Sequence, residues 1–154
     1  MTLFSEERDM KHNKLSSLAV AVLALACVFP NDSFAGDWAL VAGAKSGINK
    51  LDAEAASNLF LGKVTEVPGI GPVTLLDLPE GNPIRESFYA ETTKKDASAL
   101  KAYWSRMIFT GKGQPPRAMD GAAAIKKALS ANSTAIAYIE KSAVDASVKV
   151  LLTP

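Results

Sequence analysis

The sequence LPEGNPIRESFY at residues 78–89 marks the place where the chain changes from a strand to a helix. A turn containing glycine precedes Asn82, which is a favoured N-cap residue, and Pro83 suits the first position of a helix. Such a junction directs backbone N–H groups and the positive end of the helix dipole at whatever lies above it. Arg85 adds a fixed positive charge and five N–H donors to the same turn. The segment therefore predicts an anion site, and the alternative is an ordinary capped helix start with a solvated arginine.

Short apolar runs alternate with helical patterns along the rest of the chain. We predict strands at residues 38–42, 73–76, 134–139 and 148–152, and helices at residues 52–61, 83–92, 97–108 and 121–131. Asp52, Asp96 and Asp120 stand at the predicted helix starts, where aspartate is a favoured capping residue. Strands that alternate with helices of this length favour an α/β fold with at least some parallel strand pairing.

The N-terminus is typical of a secretory leader. Lys11 and Lys14 precede an apolar run at residues 15–29, and the sequence SFA that ends at Ala35 fits the small-x-small rule for cleavage. We therefore predict export to the periplasm and cleavage after Ala35. The alternative is a retained N-terminal anchor, although the run is short for a transmembrane helix.

Cleavage would leave residues 36–154 as one α/β domain with no stable membrane span. Met10 is a more natural start than Met1, because acidic residues are unusual in the first part of a leader. We therefore expect residues 1–9 to be an over-long start.

Composition excludes several kinds of active site from the predicted domain. The chain has one cysteine, Cys27, and one histidine, His12, and both lie in the leader. Residues 36–154 therefore contain no Cys-His or Ser-His-Asp nucleophilic site, no zinc site built on Cys or His, and no disulfide. Carboxylates such as Asp77 and Glu80 have no spacing that demands catalysis. We expect no enzymatic activity, no metal and no cofactor.

The net charge of the predicted domain is small. Residues 36–154 hold 14 Lys and Arg residues against 12 Asp and Glu residues, a net charge of +2. This balance does not suggest nucleic acid or an anionic membrane surface as a partner.

Two further polar residues are candidates for the anion site. Asp77 ends the predicted strand before the 78–89 segment, where it could accept a proton from a protonated oxyanion or pair with Arg85. The alternative for Asp77 is a strand end bonded to the local backbone. Ser46, in the first predicted loop, could offer a hydroxyl and neighbouring N–H groups, and the alternative there is a plain turn.

Four motifs in this order resemble the phosphate-binding proteins of ABC-type phosphate importers. They are FxGK at residues 60–63, LPxGxPxRxxFY at residues 78–89, YWxxxIFxGKG at residues 103–113 and AIAYI at residues 135–139. The chain is most similar to their short, single-lobe relatives in the type 2 periplasmic-binding superfamily, over most of residues 37–152. The resemblance implies an α/β fold: a single lobe of the type 2 periplasmic-binding-protein-like fold, with a mixed sheet flanked by helices.

The resemblance also implies where an anion would bind. In the full-length family the ligand lies between two lobes, and the central lobe donates an arginine and a Ser-Gly-Thr turn at a helix start. Here residues 82–84 replace that turn, which removes two hydroxyl donors, and Pro83 removes a backbone N–H as well. The implied ligands of the anion are Gly81, Asn82, Ile84 and Arg85.

Two functions follow from this resemblance. The first is an exported protein that binds inorganic phosphate or a similar oxyanion weakly, or with a second copy or an envelope partner supplying the missing face. The second is an envelope interaction module that keeps the lobe but has lost its ligand. In the second case an exposed apolar face would mediate dimers or partner contacts.

Overall fold

The computed structural model describes residues 37–154, so the predicted leader, its cleavage site and its start lie outside the described residues. In chain order the elements are β1 (Trp38–Gly43), α1 (Ala53–Phe60), β2 (Glu66–Val67), β3 (Gly71–Pro72), β4 (Thr74–Asp77), α2 (Pro83–Thr93), α3 (Ala97–Phe109), β5 (Arg117–Ala118), α4 (Ala122–Ala131), β6 (Ala135–Glu140), a 3-10 turn (Lys141–Ala143) and β7 (Val148–Leu152). All four predicted strands and all four predicted helices are confirmed, with small shifts at their ends.

Capping residues explain where most of the helices begin. The Asp52 carboxylate accepts a hydrogen bond from the Ala55 N–H at 2.7 Å, and the Asp96 carboxylate accepts one from the Ala99 N–H at 2.8 Å. The capping role predicted for Asp120 is wrong. Gly121 stands at the cap of α4 with a positive φ of 90°, and no side chain accepts a hydrogen bond from the first turn.

The elements form one mixed sheet of five strands in the order β5-β4-β6-β1-β7, and β2 and β3 form a separate small hairpin. Strand β4 is parallel to β5 and β6, whereas β1 is antiparallel to β6 and β7. Residues of β1 and β6 are buried on both faces of the sheet, with α2 and α4 packed against these strands. The predicted α/β fold with a mixed sheet flanked by helices is confirmed.

The strand directions place two groups of loops at opposite ends of the sheet. Because β4 and β6 are parallel, their carboxyl ends lie together, and we call this end, with Asp77 and Glu140, the Asp77 edge. Because β1 is antiparallel to β6, its carboxyl end lies at the other end of the sheet. We call that end, with Gly43, Ser46 and Val148, the Ser46 edge.

No helix in residues 37–154 combines the length and the apolar character needed to cross a membrane.

Candidate anion site

Asp77 is the centre of a buried polar network at the end of β4. Its side chain and backbone together are 2% exposed. The carboxylate accepts hydrogen bonds from the Leu78 N–H at 2.8 Å and from the Tyr89 hydroxyl at 2.9 Å. It also accepts a short hydrogen bond from the Tyr138 hydroxyl and one from Arg85 Nε at 3.3 Å. Both contacts considered for Asp77, with the local backbone and with Arg85, are therefore formed.

Aromatic packing holds the donors of this network in place. Phe88 on α2 stacks on Tyr138 of β6, with ring centroids 4.0 Å apart and an interplanar angle of 11°. Phe60 at the end of α1 meets both rings edge-on. Tyr89 follows Arg85 by one helical turn, so the two side chains share a face of α2, and the guanidinium carbon lies 5.1 Å from the Tyr89 ring centroid.

The network keeps its tyrosines protonated and its arginine charged. Burial, followed by the negative charge of Asp77, raises the pKa of Tyr89 and of Tyr138 well above the ordinary value of a tyrosine. For Arg85, burial acts to lower the pKa, but attraction to Asp77 and the two tyrosines outweighs it and the pKa is raised. The two hydroxyls therefore act as donors to Asp77, and the Asp77 charge is matched by the Arg85 charge.

The start of α2 uses its own backbone donors. The Asn82 side-chain oxygen accepts hydrogen bonds from the N–H groups of Ile84 at 2.9 Å and Arg85 at 3.4 Å. The N–H of Glu86 donates to the Asn82 carbonyl and the N–H of Asn82 donates to the Pro79 carbonyl, both at 3.1 Å. Pro83 has no N–H to offer. In this structure Asn82 caps the helix, and the N–H groups of Ile84 and Arg85 already donate to its side chain.

Gly81 shapes the turn that precedes the cap. Its φ is +84°, in the region that only glycine adopts without strain, and a Cβ added there would meet no atom within 4 Å. The glycine is therefore required by the backbone conformation of the turn rather than by a close approach of another group.

Arg85 also lines a cleft of about 170 Å³ between the start of α2 and one face of α3. Its Nε donates to Asp77, and its side chain is 12% exposed. The other residues of this Arg85 cleft are Glu80, Ala97, Lys101, Trp104, Ser105, Ile108 and Pro115. Lys101 Nζ lies 3.4 Å from a carboxylate oxygen of Glu80, and both side chains are largely exposed.

Sequence reasoning missed the contribution of α3 to this cleft. Positions 97, 101, 104, 105 and 108 follow the three- and four-residue spacing that places side chains on one helical face. That spacing is visible in the sequence of the predicted helix at residues 97–108. The packing of α3 beside α2, which turns this face toward Arg85, has no sequence signal.

Trp104 carries a polar atom without a partner. The residue is 5% exposed, and its Nε1 is the buried side-chain nitrogen that lacks a hydrogen-bond acceptor among the described residues. A buried donor left unpaired destabilises the folded state by about 1–3 kcal/mol. The indole lines the Arg85 cleft and also a neighbouring cleft of about 240 Å³, where Arg117 lies.

Ser46 lies at the other edge of the sheet. It is 4% exposed; its hydroxyl oxygen accepts a hydrogen bond from the Ile48 N–H and its carbonyl accepts one from Lys149 Nζ. It lines a separate cleft of about 400 Å³ together with residues of α4. The structure brings Asp77, Arg85 and the residues around Asn82 together and leaves Ser46 apart from them.

Within the part of the chain that the structure describes, no three His, Cys, Asp or Glu side chains are grouped so that they could hold a metal ion.

The fold is that of a single lobe of the phosphate ABC transporter substrate-binding proteins, the type 2 periplasmic-binding-protein-like fold. One similar solved structure is a proposed phosphate ABC transporter substrate-binding protein with bound phosphate from Clostridium perfringens. The TM-score is 0.60 at 21% identity, over 75% of this chain and 44% of that one. Another is an ABC-type phosphate transport receptor from Vibrio cholerae, with a TM-score of 0.59 at 17% identity, over 75% of this chain and 45% of that one.

A candidate phosphate-binding protein from Planctomyces limnophilus is similar as well, with a TM-score of 0.56 at 11% identity, over 75% of this chain and 40% of that one. The aligned part of this chain therefore spans less than half the length of each of these proteins. No protein-family model matches the sequence, and no curated protein is similar enough to count as a match. The predicted resemblance is confirmed at the level of the fold.

Proposed function

We propose that this protein is an exported binding protein of the phosphate-binding type, which takes phosphate or a similar oxyanion weakly in the Arg85 cleft. The observation that carries the proposal is that Arg85 contacts both Asp77 and the cleft. Its Nε donates to the buried carboxylate of Asp77, and the same side chain, which is 12% exposed, lines a cleft beside Lys101 and Ser105. A guanidinium has five N–H donors, so one that is fixed through its Nε keeps further donors for an oxyanion.

The same geometry explains why the binding would be weak. Arg85 is neutralised by Asp77, Lys101 is paired with Glu80, and Asn82 occupies the backbone donors at the start of α2. Each missing charge-assisted hydrogen bond removes about 1.5–3 kcal/mol, and about 1.4 kcal/mol changes a dissociation constant tenfold. We therefore place the dissociation constant for free phosphate in the millimolar range.

Two features of the chain support the rest of the proposal. The leader-like pattern at residues 1–35 supports export to the periplasm. The similar solved structures are binding and transport proteins, which supports binding rather than catalysis as the role of this fold here. A second copy or an envelope partner would supply the face that the second lobe supplies in the longer proteins.

The test is a titration of the full chain with inorganic phosphate, followed by ¹H–¹⁵N NMR. We expect saturable shifts at the amides of Lys101 and Ser105 in the wild type. Arg85→Lys keeps the charge but loses the fork, so we expect at least tenfold weaker binding. Arg106→Ala is the matched control, because Arg106 is exposed on α3 and does not line the cleft.

Two results would contradict the proposal. One is a wild-type protein whose cleft resonances do not move at tens of millimolar phosphate. The other is an Arg85→Lys variant that binds as well as Arg106→Ala.

A second candidate function is favoured by one observation at the end of α3. Phe109 is 92% exposed and Ile108 is 49% exposed, and neighbouring exposed apolar side chains are typical of a contact surface. As an interaction module the protein would self-associate or hold an envelope partner through this surface. Sedimentation at increasing concentration tests self-association: Phe109→Ser should weaken it, and a wild type that stays monomeric throughout would count against self-association.

A further inference from the structure

We infer that the preferred ligand of the Arg85 cleft is an organic anion, with one oxyanion group and one apolar group, rather than inorganic phosphate. This inference rests on the proposed function, because it names the ligand class of the same cleft. The geometry points to it through two separate observations: the lining of the cleft and the balance of charge around it.

The lining of the cleft is divided in two. Arg85, Lys101 and Ser105 offer donors, whereas Trp104, Ile108, Pro115 and Ala97 form an apolar wall. Inorganic phosphate carries oxygens on every side, so an apolar wall leaves some of them without donors while removing water from them. An anion with an apolar substituent turns its oxygens to Arg85 and its substituent to the wall, which matches both halves of the cleft.

The balance of charge gives a second reason. The two cations of the cleft each face a carboxylate, Arg85 with Asp77 at 3.3 Å and Lys101 with Glu80 at 3.4 Å. A small dianion that depends on charge alone gains little where the cations are already paired. Apolar contact does not depend on that charge, so it contributes to the affinity whether or not the cations are paired.

Trp104 is part of this lining and also provides a readout. Its indole is almost entirely carbon, so where it borders the cleft it adds to the apolar wall. The chain contains two tryptophans, and Trp38 donates its Nε1–H to Glu91, so the two indole resonances report different places.

The experiment compares three probes on the full chain: inorganic phosphate, phenyl phosphate and phenol. The readouts are the dissociation constant and the movement of the Trp104 indole resonance. We expect phenyl phosphate to bind about tenfold more tightly than phosphate, because one ring edge buries several tens of Å² of apolar surface. Phenol, which lacks the anion, should bind at least tenfold more weakly than phenyl phosphate.

A matched pair of variants assigns the gain to the wall. Ile108→Ser changes a residue that lines the cleft, and Phe109→Ser changes its neighbour, which is 92% exposed and lies outside the lining. The preference for phenyl phosphate over phosphate should fall from about tenfold toward equality in Ile108→Ser and stay at about tenfold in Phe109→Ser. Because both side chains are exposed, we expect neither substitution to change the folding of the domain.

The outcomes separate this inference from the proposed function. Equal affinities for phosphate and phenyl phosphate would overturn the inference that the ligand is an organic anion. The proposed function would still stand. Phenol that binds as tightly as phenyl phosphate would also overturn it, because the anion would then play no part. Failure of both phosphate and phenyl phosphate to move cleft resonances would overturn the inference and the proposed function together.

Discussion

The two edges of the five-stranded sheet handle their polar groups in different ways. At the Asp77 edge a carboxylate that is 2% exposed collects donors from Tyr138, 61 positions away in sequence, and from Tyr89 and Arg85 on α2. At the Ser46 edge the carboxylate of Asp145 is half exposed, and it accepts hydrogen bonds from Lys126 at 2.7 Å and from the Ser147 N–H two residues away.

This difference shows at which edge the stability of the fold depends most on polar contacts. Water can replace the partners of Asp145, and hydrogen bonds from Lys126 and Ser147 lower the pKa of this exposed group without burying it. Water cannot reach most of the partners of Asp77, so each of them depends on the others. The edge that holds the Arg85 cleft is therefore the edge where single polar changes should be most damaging.

The largest expected effect comes from removing the buried carboxylate. Asp77→Ala leaves Arg85 and the hydroxyls of Tyr89 and Tyr138 without their acceptor, and we expect the free energy of unfolding to fall by about 3–5 kcal/mol. Urea denaturation followed by circular dichroism measures it. Asp145→Ala is the control, and its urea midpoint should stay close to that of the wild type. Equal losses in the two variants would break the contrast between the edges.

The next effect is a loss of stability at alkaline pH. Unfolded tyrosines release their protons above about pH 10, whereas the raised pKa values keep Tyr89 and Tyr138 protonated in the folded state. Their contribution is therefore complete below pH 10 and is lost as the pH rises. The free energy of unfolding should fall by up to about 1.4 kcal/mol per pH unit for each tyrosine.

Urea denaturation at several pH values between 9 and 11 measures this slope. Tyr89→Phe should reduce it, because one titrating hydroxyl of the network is removed. Thr92→Val is the control: it removes a buried hydroxyl that donates to the Phe88 carbonyl and does not titrate, so the slope should be kept. A Tyr89→Phe variant with the wild-type slope would show that the network does not hold the protons in this way.

The smallest of the three effects concerns the Ser46 edge, where sensitivity should come from backbone packing. A Cβ added at Gly43 would lie 2.5 Å from the carbonyl oxygen of Leu129, which is backbone and cannot turn aside. We expect Gly43→Ala to destabilise the domain by about 1–3 kcal/mol. Gly47→Ala is the control, because its nearest atom is the end of the flexible Ile70 side chain at 3.2 Å. Thermal unfolding compares the two, and a Gly43→Ala variant as stable as the Gly47→Ala variant would contradict the expectation.

Much of the fold was predictable, since it depends on local patterns. Apolar runs located the four longer strands but not the two-residue strands β2, β3 and β5. Asp52, Asn82 and Asp96 located three helix starts through capping that acts within three residues. Asp120 failed as a cap because the adjacent Gly121 adopts a positive φ and takes that position itself. A residue's capping ability is visible in sequence, but the dihedral angles of its neighbour are not.

The candidate site was predictable only in part. Asp77, Asn82 and Arg85 lie within nine residues of one another, so their proximity followed from chain connectivity. Lys101, Ser105 and the outer wall of the cleft come from α3, and Tyr138 comes from a strand that pairs with β4 from the far end of the chain. Ser46 was expected near Arg85, yet the antiparallel direction of β1 carries it to the opposite edge.

The sequence by itself determined the four longer strands and the four helices, the caps at Asp52, Asn82 and Asp96, and that an arginine stands in the first turn of α2. Those properties depend on residues a few positions apart, and these local interactions would be the same in any chain with this local sequence. Only the tertiary structure decided that Arg85 both donates to Asp77 and lines a half-apolar cleft. Those choices depend on strand direction and on the packing of α3 beside α2, which are set by the burial of distant side chains together.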